Sequence, residues 1–402
     1  MQQSLTKQRF YSLDVFRGAT VCLMILVNNP GSWSHIYTPL EHAPWHGVTP
    51  TDLVFPFFLF AVGNALAFVM PRLEVAGPSI FWKKVIKRTL LIFLIGLALN
   101  WMPFVKWQNG SIVLKPWSYV NKAGELAGIR ILGVLQRIAL AYFFATALIY
   151  LLKIRGAFVA ACVILLGYWF LTVAGNPADP YSLTGWFGTN VDKAVLGAQH
   201  MYHGESLDGH PIAFDPEGLM SLFGSIVQVM FGYFVGDYII KRGKTAEMIN
   251  GLFVGGIVFL FAGYMWDMVF PLNKKIWTSS YTVFTTGMAM VIIATMIYLI
   301  ELKNKRGWLS KFFDVFGKNP LFIFVLSGVL PRVLGLIRIP SGIGADGDIN
   351  YLDPFGWFYE HICRPIFPNN LNNGSLLYAL CMITFYWLIV FWMDKKKIYI
   401  KV

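Results

Sequence analysis

Ten runs of about 17–22 mostly apolar residues recur along this chain, each the length a helix needs to cross roughly 30 Å of hydrocarbon. They fall at approximately 14–34, 52–70, 88–105, 131–152, 156–174, 218–240, 249–270, 280–300, 318–337 and 375–393. None alternates apolar and polar residues at every second position, as the strands of a membrane barrel do. A large water-soluble helical protein would instead show amphipathic stripes. With 56% hydrophobic and 13% charged residues and a mean hydropathy of +0.57, too little polar surface remains for one. The sequence therefore predicts an all-α fold: a polytopic transmembrane helical bundle of about ten spans, forming a single unit over residues 1–402.

Lysine and arginine orient the bundle. Segments read as inner hold 21 of the 33, among them Lys7, Arg9, Lys83, Lys87, Lys303, Lys395 and Lys401. Those read as outer hold 10, including Lys122, Arg130, Lys274 and Lys275, while Arg17 and Arg137 lie within spans. Both termini are thus expected in the cytoplasm, and the loop 35–51 on the outer side of an inner (cytoplasmic) membrane. Basic inner loops facing anionic lipid account for the net charge of +12 without nucleic acid. The first residues show no small-residue cleavage site, so the first span is expected to be retained. Cys22, Cys162 and Cys381 lie in spans and Cys363 in an outer loop, which implies neither a disulfide framework nor a cysteine metal site.

Charges within hydrocarbon cost at least about 2.5–3.5 kcal/mol each and need a partner or a task. Asp14 and Arg17, three residues apart, suit an intrahelical ion pair; equally, the guanidinium fork of Arg17 suits an anion arriving from the cytoplasm. Asn28 and Asn29, ahead of Pro30 and Gly31, read either as a helix end or as carboxamides that hold a carbonyl oxygen. Gln136 and Arg137 lie several residues inside the fourth span, and Arg137 is expected to face the interior and meet a ligand or a carboxylate. Asp52 opens the second span and Asp215 and Glu217 open the sixth, positions where acidic residues favour a helix N-terminus.

All seven histidines fall outside the spans. His42 and His46 have metal-compatible spacing only in a helix, and Pro44 between them disfavours one, so no metal is expected. Histidine is the default proton shuttle near neutral pH. His42 stands out because Asp52, the carboxamides and the two arginines are all expected near the same pair of helices. The long outer segments 106–130, 175–217 and 338–374 are rich in Trp, Gly, Asn and Pro. They read either as a shaped mouth for a polar molecule or as interfacial packing.

Taken in order and spacing, LDVFRG (13–18), HAPWHGVTPTDLVFPFFLFAVG (42–63), GVLQRI (133–138), DKAVLGAQHMY (192–202), FDPEGLMSLFGSI (214–226), PLNKKIWTSSY (271–281), GKNPLFIF (317–324) and the closing KKKIYIKV carry a resemblance. Over nearly its whole length the chain resembles the transmembrane heparan-α-glucosaminide N-acetyltransferase family, including bacterial relatives associated with amino-sugar use. That resemblance implies acetyl transfer from acetyl-CoA, as co-substrate, to the amino group of a glucosamine. It places the catalytic histidine at His42 rather than His46, and matches Asn28 and Asp52 to further family motifs. Arg17 matches an arginine associated with coenzyme A in a wider group of membrane acyltransferases. With Asp14, Gln136 and Arg137 it forms the candidate donor-binding set, while Asp215, Glu217 and Trp45 are the candidates for holding the acceptor. The large relatives acting on heparan carry an extra luminal domain ahead of the first span, where about a dozen residues stand here. A free or short amino sugar is therefore the expected acceptor. The resemblance also implies a homodimer. Direct transfer and an acetyl-histidine intermediate both remain open. Two other activities fit ten spans with buried charges: a carrier of sugars or glycan precursors, and an O-acetyltransferase of cell-surface glycans.

Overall fold

A computed structural model describes residues 10–108, 110–120, 126–343 and 349–400. Lys7, Arg9, Lys122, Lys401 and Val402, on which part of the charge and motif reading rests, lie outside the described residues. The chain is mostly helical: α1 (Tyr11–Asn28), α2 (Val54–Val75), α3 (Pro78–Trp101), α4 (Val134–Gly175), α5 (Gly188–Leu196), α6 (Leu222–Arg242), α7 (Ala246–Asp267), α8 (Ser279–Ile297), α9 (Trp308–Lys318), α10 (Pro320–Leu334), α11 (Pro354–Phe358), α12 (Arg364–Ile366) and α13 (Leu371–Lys395). Among the described residues, seven helices are long and apolar enough to cross a membrane. An eighth span is completed if α9 and α10, bent by 76°, are counted together.

The ten expected runs fall on helices, but they are divided differently. The boundary between the fourth and fifth lies at Lys153, whose φ of 57° and ψ of 178° interrupt an otherwise continuous 42-residue stretch. The third run is α3, which carries Lys83, Lys84, Lys87 and Arg88 in its first half and is not among the seven. The ninth is the bent pair, where Asn319 and Pro320 break the ladder. Two expected limits are corrected. The first helix stops at Asn28, ahead of Pro30, and does not reach 34. The sixth begins at Leu222, so Asp215 and Glu217 stand in a preceding turn and not at its first residues.

The segments 106–130, 175–217 and 338–374 hold what apolar periodicity does not register. Among the described residues, four two-stranded antiparallel sheets pair β1 (Val105–Gln108) with β2 (Ser111–Leu114), β3 (Ser118–Val120) with β4 (Leu126–Gly128), β5 (Glu205–Leu207) with β6 (His210–Ile212), and β7 (Ile339–Ile343) with β8 (Ile349–Leu352). These segments meet at one end of the bundle. Asn100 donates to the Arg130 carbonyl, Lys275 to that of Pro44, Trp107 to that of Leu336, and the Gly31 amide to that of Ser375. At the opposite end, Lys153 pairs with Glu74, Lys244 with Glu301, and Lys318 with Asp314 and Asp394. Cys363 is not in a loop as expected but buried in the helical turn between α11 and α12.

With no water to displace, helices in lipid associate by close packing, and small residues permit it. Helix α2 lies against α6 in this way. A Cβ at Gly63 would come 2.0 Å from the Val229 carbonyl oxygen, and one at Gly232 would come 2.2 Å from that of Phe60. This contact fixes the N-terminal end of α2, with Asp52 just ahead of it, against the turn leading into α6. Deeper in the bundle, buried Gln228 satisfies its amide on Thr286 (3.1 Å) and Thr285 (3.2 Å).

Candidate active site

Helix α2 is entered through a tight turn at Pro50–Leu53, and Thr49 and Asp52 close a capping box there. Asp52 does more than cap. Its Oδ2 accepts from the Thr49 amide (3.0 Å), the Thr49 hydroxyl (3.1 Å) and the Ala43 amide (3.0 Å). Oδ1 remains for His42, whose Nδ1 lies 2.6 Å away. Both oxygens act as acceptors, so Nδ1 carries the ring proton and Nε2 presents its lone pair. The Asp52 side chain is 1% exposed and that of His42 is 44% exposed. A buried carboxylate thus orients an imidazole that opens onto solvent.

His42 and Asp52 line a cleft of about 250 Å³ with Trp45, Arg130, Tyr202, Glu205, Glu217, Lys274, Lys275 and Trp277. Lys274 reaches back over the imidazole, its Nζ 3.0 Å from Nδ1, 3.2 Å from Nε2 and 3.6 Å from Asp52 Oδ1. Burial lowers the Lys274 pKa below the ordinary lysine value, against the opposing pull of Asp52 and Glu217. Lys275 binds Glu205 at 2.8 Å and lies over the Trp45 ring. Trp45 is fixed in turn by its indole N–H donating to the Tyr181 carbonyl at 2.7 Å and by an edge contact with Phe214.

The turn 214–221 forms another wall. Arg130 grips it through Nε and Nη2 on Asp215 (3.0 and 2.5 Å) and a further contact from Nη2 to Glu217. Burial alone would raise the Glu217 carboxyl, but Arg130 overcomes it and the pKa is lowered; the same two carboxylates hold the Arg130 guanidinium above its usual value despite burial. Asp215, fully buried, also accepts from the Tyr202 amide at 3.2 Å and does not line the cleft. Arg137 is buried beneath the wall, donating to the Gly218 carbonyl (3.1 Å) and the Ser221 hydroxyl and stacking 5.2 Å from the Trp277 ring centroid.

Asp192 supports the same turn. One oxygen accepts from the Leu219 amide at 2.8 Å, and the other is buried against Gly218 with no hydrogen-bond partner among the described residues. Burial, with repulsion from Asp215, pushes this carboxyl up to about 7. An unfolded aspartate titrates near about 3.9, so between roughly pH 4 and 7 the folded protein binds a proton that the unfolded chain has released. Stability is therefore expected to fall as pH rises through that window and to level off above it. Asp192→Asn should flatten this dependence, shrinking the difference in unfolding temperature between pH 5 and pH 8 followed by tryptophan fluorescence in detergent. An undiminished difference would mean that other groups set it.

The expected site residues are gathered only in part. His42, Asp52, Trp45 and Glu217 share the cleft. Asn28 is exposed at the end of α1 and is not among the lining residues. Gln136 is buried, donating to the Ile131 carbonyl at 2.9 Å and packed on Gly96. Asp14 and Arg17 line a separate pocket of about 240 Å³ with Asn64 and Phe68, where Arg17 reaches Asp14 at 3.5 Å and the Gly317 carbonyl at 3.2 Å. Arg17 and His42 thus line different pockets. Arg130, Tyr202, Glu205 and the Lys274–Lys275 pair were given no role by the sequence reading. Two adjacent lysines in the short turn between apolar runs were the available signal.

Together these features define a polytopic helical membrane protein with a histidine–aspartate pair in a charged cleft at one end of its bundle. A family model described as heparan-alpha-glucosaminide N-acetyltransferase, catalytic, matches residues 9–197. The human heparan-alpha-glucosaminide N-acetyltransferase is 25% identical over 366 residues, covering 79% of this chain and 52% of the human protein. The mouse protein of the same name is 26% identical over 372 residues, covering 80% and 54%. The resemblance read from the motifs is thereby borne out, and the chain spans about half the length of the curated relatives it matches. The matched region contains His42, Asp52, Arg130, Arg137 and Asp192; Glu217 and Lys274 lie beyond it.

Proposed function

We propose that this protein is a membrane-embedded acetyltransferase moving the acetyl group of acetyl-CoA to the amino group of a glucosamine-type sugar, with His42 as general base. The observation that carries the reading is the 2.6 Å contact between His42 Nδ1 and Asp52, which leaves Nε2 facing the cleft as an acceptor. Acyl transfer to an amine needs a group to take a proton from nitrogen as it attacks the thioester carbon. A bond forms between nitrogen and the acetyl carbon, and the carbonyl electron pair moves onto oxygen. Nε2 takes the nitrogen's proton, while Asp52 stabilises the imidazolium that results. Collapse re-forms the carbonyl and breaks the carbon–sulfur bond. The departing sulfur takes the proton from Nε2, giving coenzyme A and an N-acetyl sugar.

The acceptor is assigned to the wall made by Glu217 and Trp45, a carboxylate for a cationic or hydroxylated sugar beside an aromatic face for its ring. Asp215 holds that wall through Arg130 and does not itself face the cleft. Asp14 and Arg17 are assigned to the donor's charged end on the strength of the second pocket at the other end of α1. Arg137 and Gln136 are left to positioning, because they donate to backbone carbonyls and to Ser221. In the same reading the chain is one unit of ten spans with both termini cytoplasmic, the His42 loop outside an inner membrane, and a homodimer; the basic residues of the inner segments support the orientation. Purified protein given acetyl-CoA and glucosamine should yield N-acetylglucosamine and free coenzyme A in equal amounts by mass spectrometry. Intact, unacetylated sugar crossing a proteoliposome membrane without acetyl-CoA would point to a carrier instead.

A further inference from the structure

The proposed transfer places negative charge on the acetyl oxygen, and a donor must meet it close to the base. Three of the cations at the cleft differ in how they are held. Arg130 is bound by two carboxylates, Asp215 and Glu217. Lys275 is bound by Glu205 at 2.8 Å and by the Pro44 carbonyl at 2.9 Å. Lys274 has a different setting. Its nearest carboxylate oxygen, Asp52 Oδ1, is 3.6 Å away, beyond hydrogen-bond length, and its close contacts are the His42 ring nitrogens. Nearly equidistant from the two ring nitrogens, the ammonium lies over the imidazole face, with Nε2 3.2 Å away.

From this arrangement we infer that Lys274 is a further catalytic residue, whose ammonium stabilises the oxyanion formed on the acetyl group. The inference rests on the acetyl-transfer reading above. Its geometry follows from the position of Nε2. An attacking amine must come within about 2.6–3.2 Å of that nitrogen, and the Lys274 ammonium lies beside the same atom at 3.2 Å. The acetyl oxygen is bonded to the carbon under attack and so lies within a few ångströms of the same point. A lysine held over the ring beside Nε2 needs only a small swing of its flexible stem to meet that oxygen. It keeps its three protons throughout, donating a hydrogen bond as the carbonyl pair moves onto oxygen and releasing it as the carbon–sulfur bond breaks. Asn28, the donor expected from the sequence, does not line the cleft.

The test compares Lys274→Met, Lys274→Arg and Lys193→Met in purified full-length protein, each checked for acetyl-CoA binding by calorimetry. Loss of one preorganised oxyanion donor typically costs about 10²–10³-fold in kcat. Lys274→Met is expected to lose turnover on that scale while the KM for either substrate moves less than about fivefold. Lys274→Arg, which keeps the charge, should recover at least tenfold of the loss. Lys193→Met, at an exposed lysine outside the cleft, should stay within tenfold of wild type. Unchanged kcat in Lys274→Met, or a loss confined to KM, overturns the assignment. So does a Lys274→Arg protein that binds acetyl-CoA normally yet is as slow as Lys274→Met. Absence of any acetyl transfer by the wild-type protein is a separate result, which removes the parent reading and this one with it.

Discussion

His42→Ala is expected to lower the kcat for acetyl transfer by about 10²–10⁴-fold, the range general-base catalysis supplies, while leaving acetyl-CoA binding measurable. The imidazole is nearly half exposed and its carboxylate partner is Asp52, so truncating it removes little buried area. The unfolding temperature in detergent should shift by no more than a few degrees. What is lost is the acceptor for the amine's proton. At higher pH hydroxide can take that proton in place of the imidazole, and the deficit of the variant should narrow there. A uniform deficit at all pH values would assign His42 to binding rather than to proton transfer.

Asp52→Asn should do two things together. Replacing the charged oxygen opposite Nδ1 removes the group that fixes the ring tautomer and supports the imidazolium. In a serine–histidine–aspartate triad the equivalent change lowers kcat by about 10⁴-fold; here a loss of about 10²–10³-fold is expected, because the more exposed His42 ring can recruit water. The second effect is structural. Asp52 is buried and accepts from the Thr49 amide and hydroxyl and the Ala43 amide. A carboxamide of the same shape must turn its NH₂ toward either those donors or His42. An unsatisfied buried donor costs about 1–3 kcal/mol, so the unfolding temperature should fall as well. His42→Ala separates the two effects, since it removes turnover without disturbing the cap. An Asp52→Asn protein with wild-type kcat would reduce Asp52 to a helix-capping residue.

The parts of this molecule that were readable in sequence are those written by local rules. Apolar runs longer than a bilayer requires place the helices, and Pro30, Pro50 and Gly243 mark where three of them begin or end. His42 and Asp52, ten residues apart in one loop and turn, meet as expected. Relations at long separation were not readable. Lys274 lies 232 residues from His42, and Glu217 lies 87 from Arg130, distances that no spacing rule covers. Arg17 and His42, both expected near the same pair of helices, line different pockets, and no spacing rule told the two apart. The hairpins at the mouth escaped notice because strands of three to five residues leave no period to detect.

Acetyl transfer at this cleft is tested most directly by following a carbon-13 acetyl label from acetyl-CoA in the purified wild-type and His42→Ala proteins. With the wild type, labelled N-acetyl sugar and free coenzyme A should appear in equal amounts. With His42→Ala both should fall together by at least about 100-fold at unchanged acetyl-CoA affinity. Label reaching the sugar at the wild-type rate in the variant, or never reaching it in the wild type, would contradict the account.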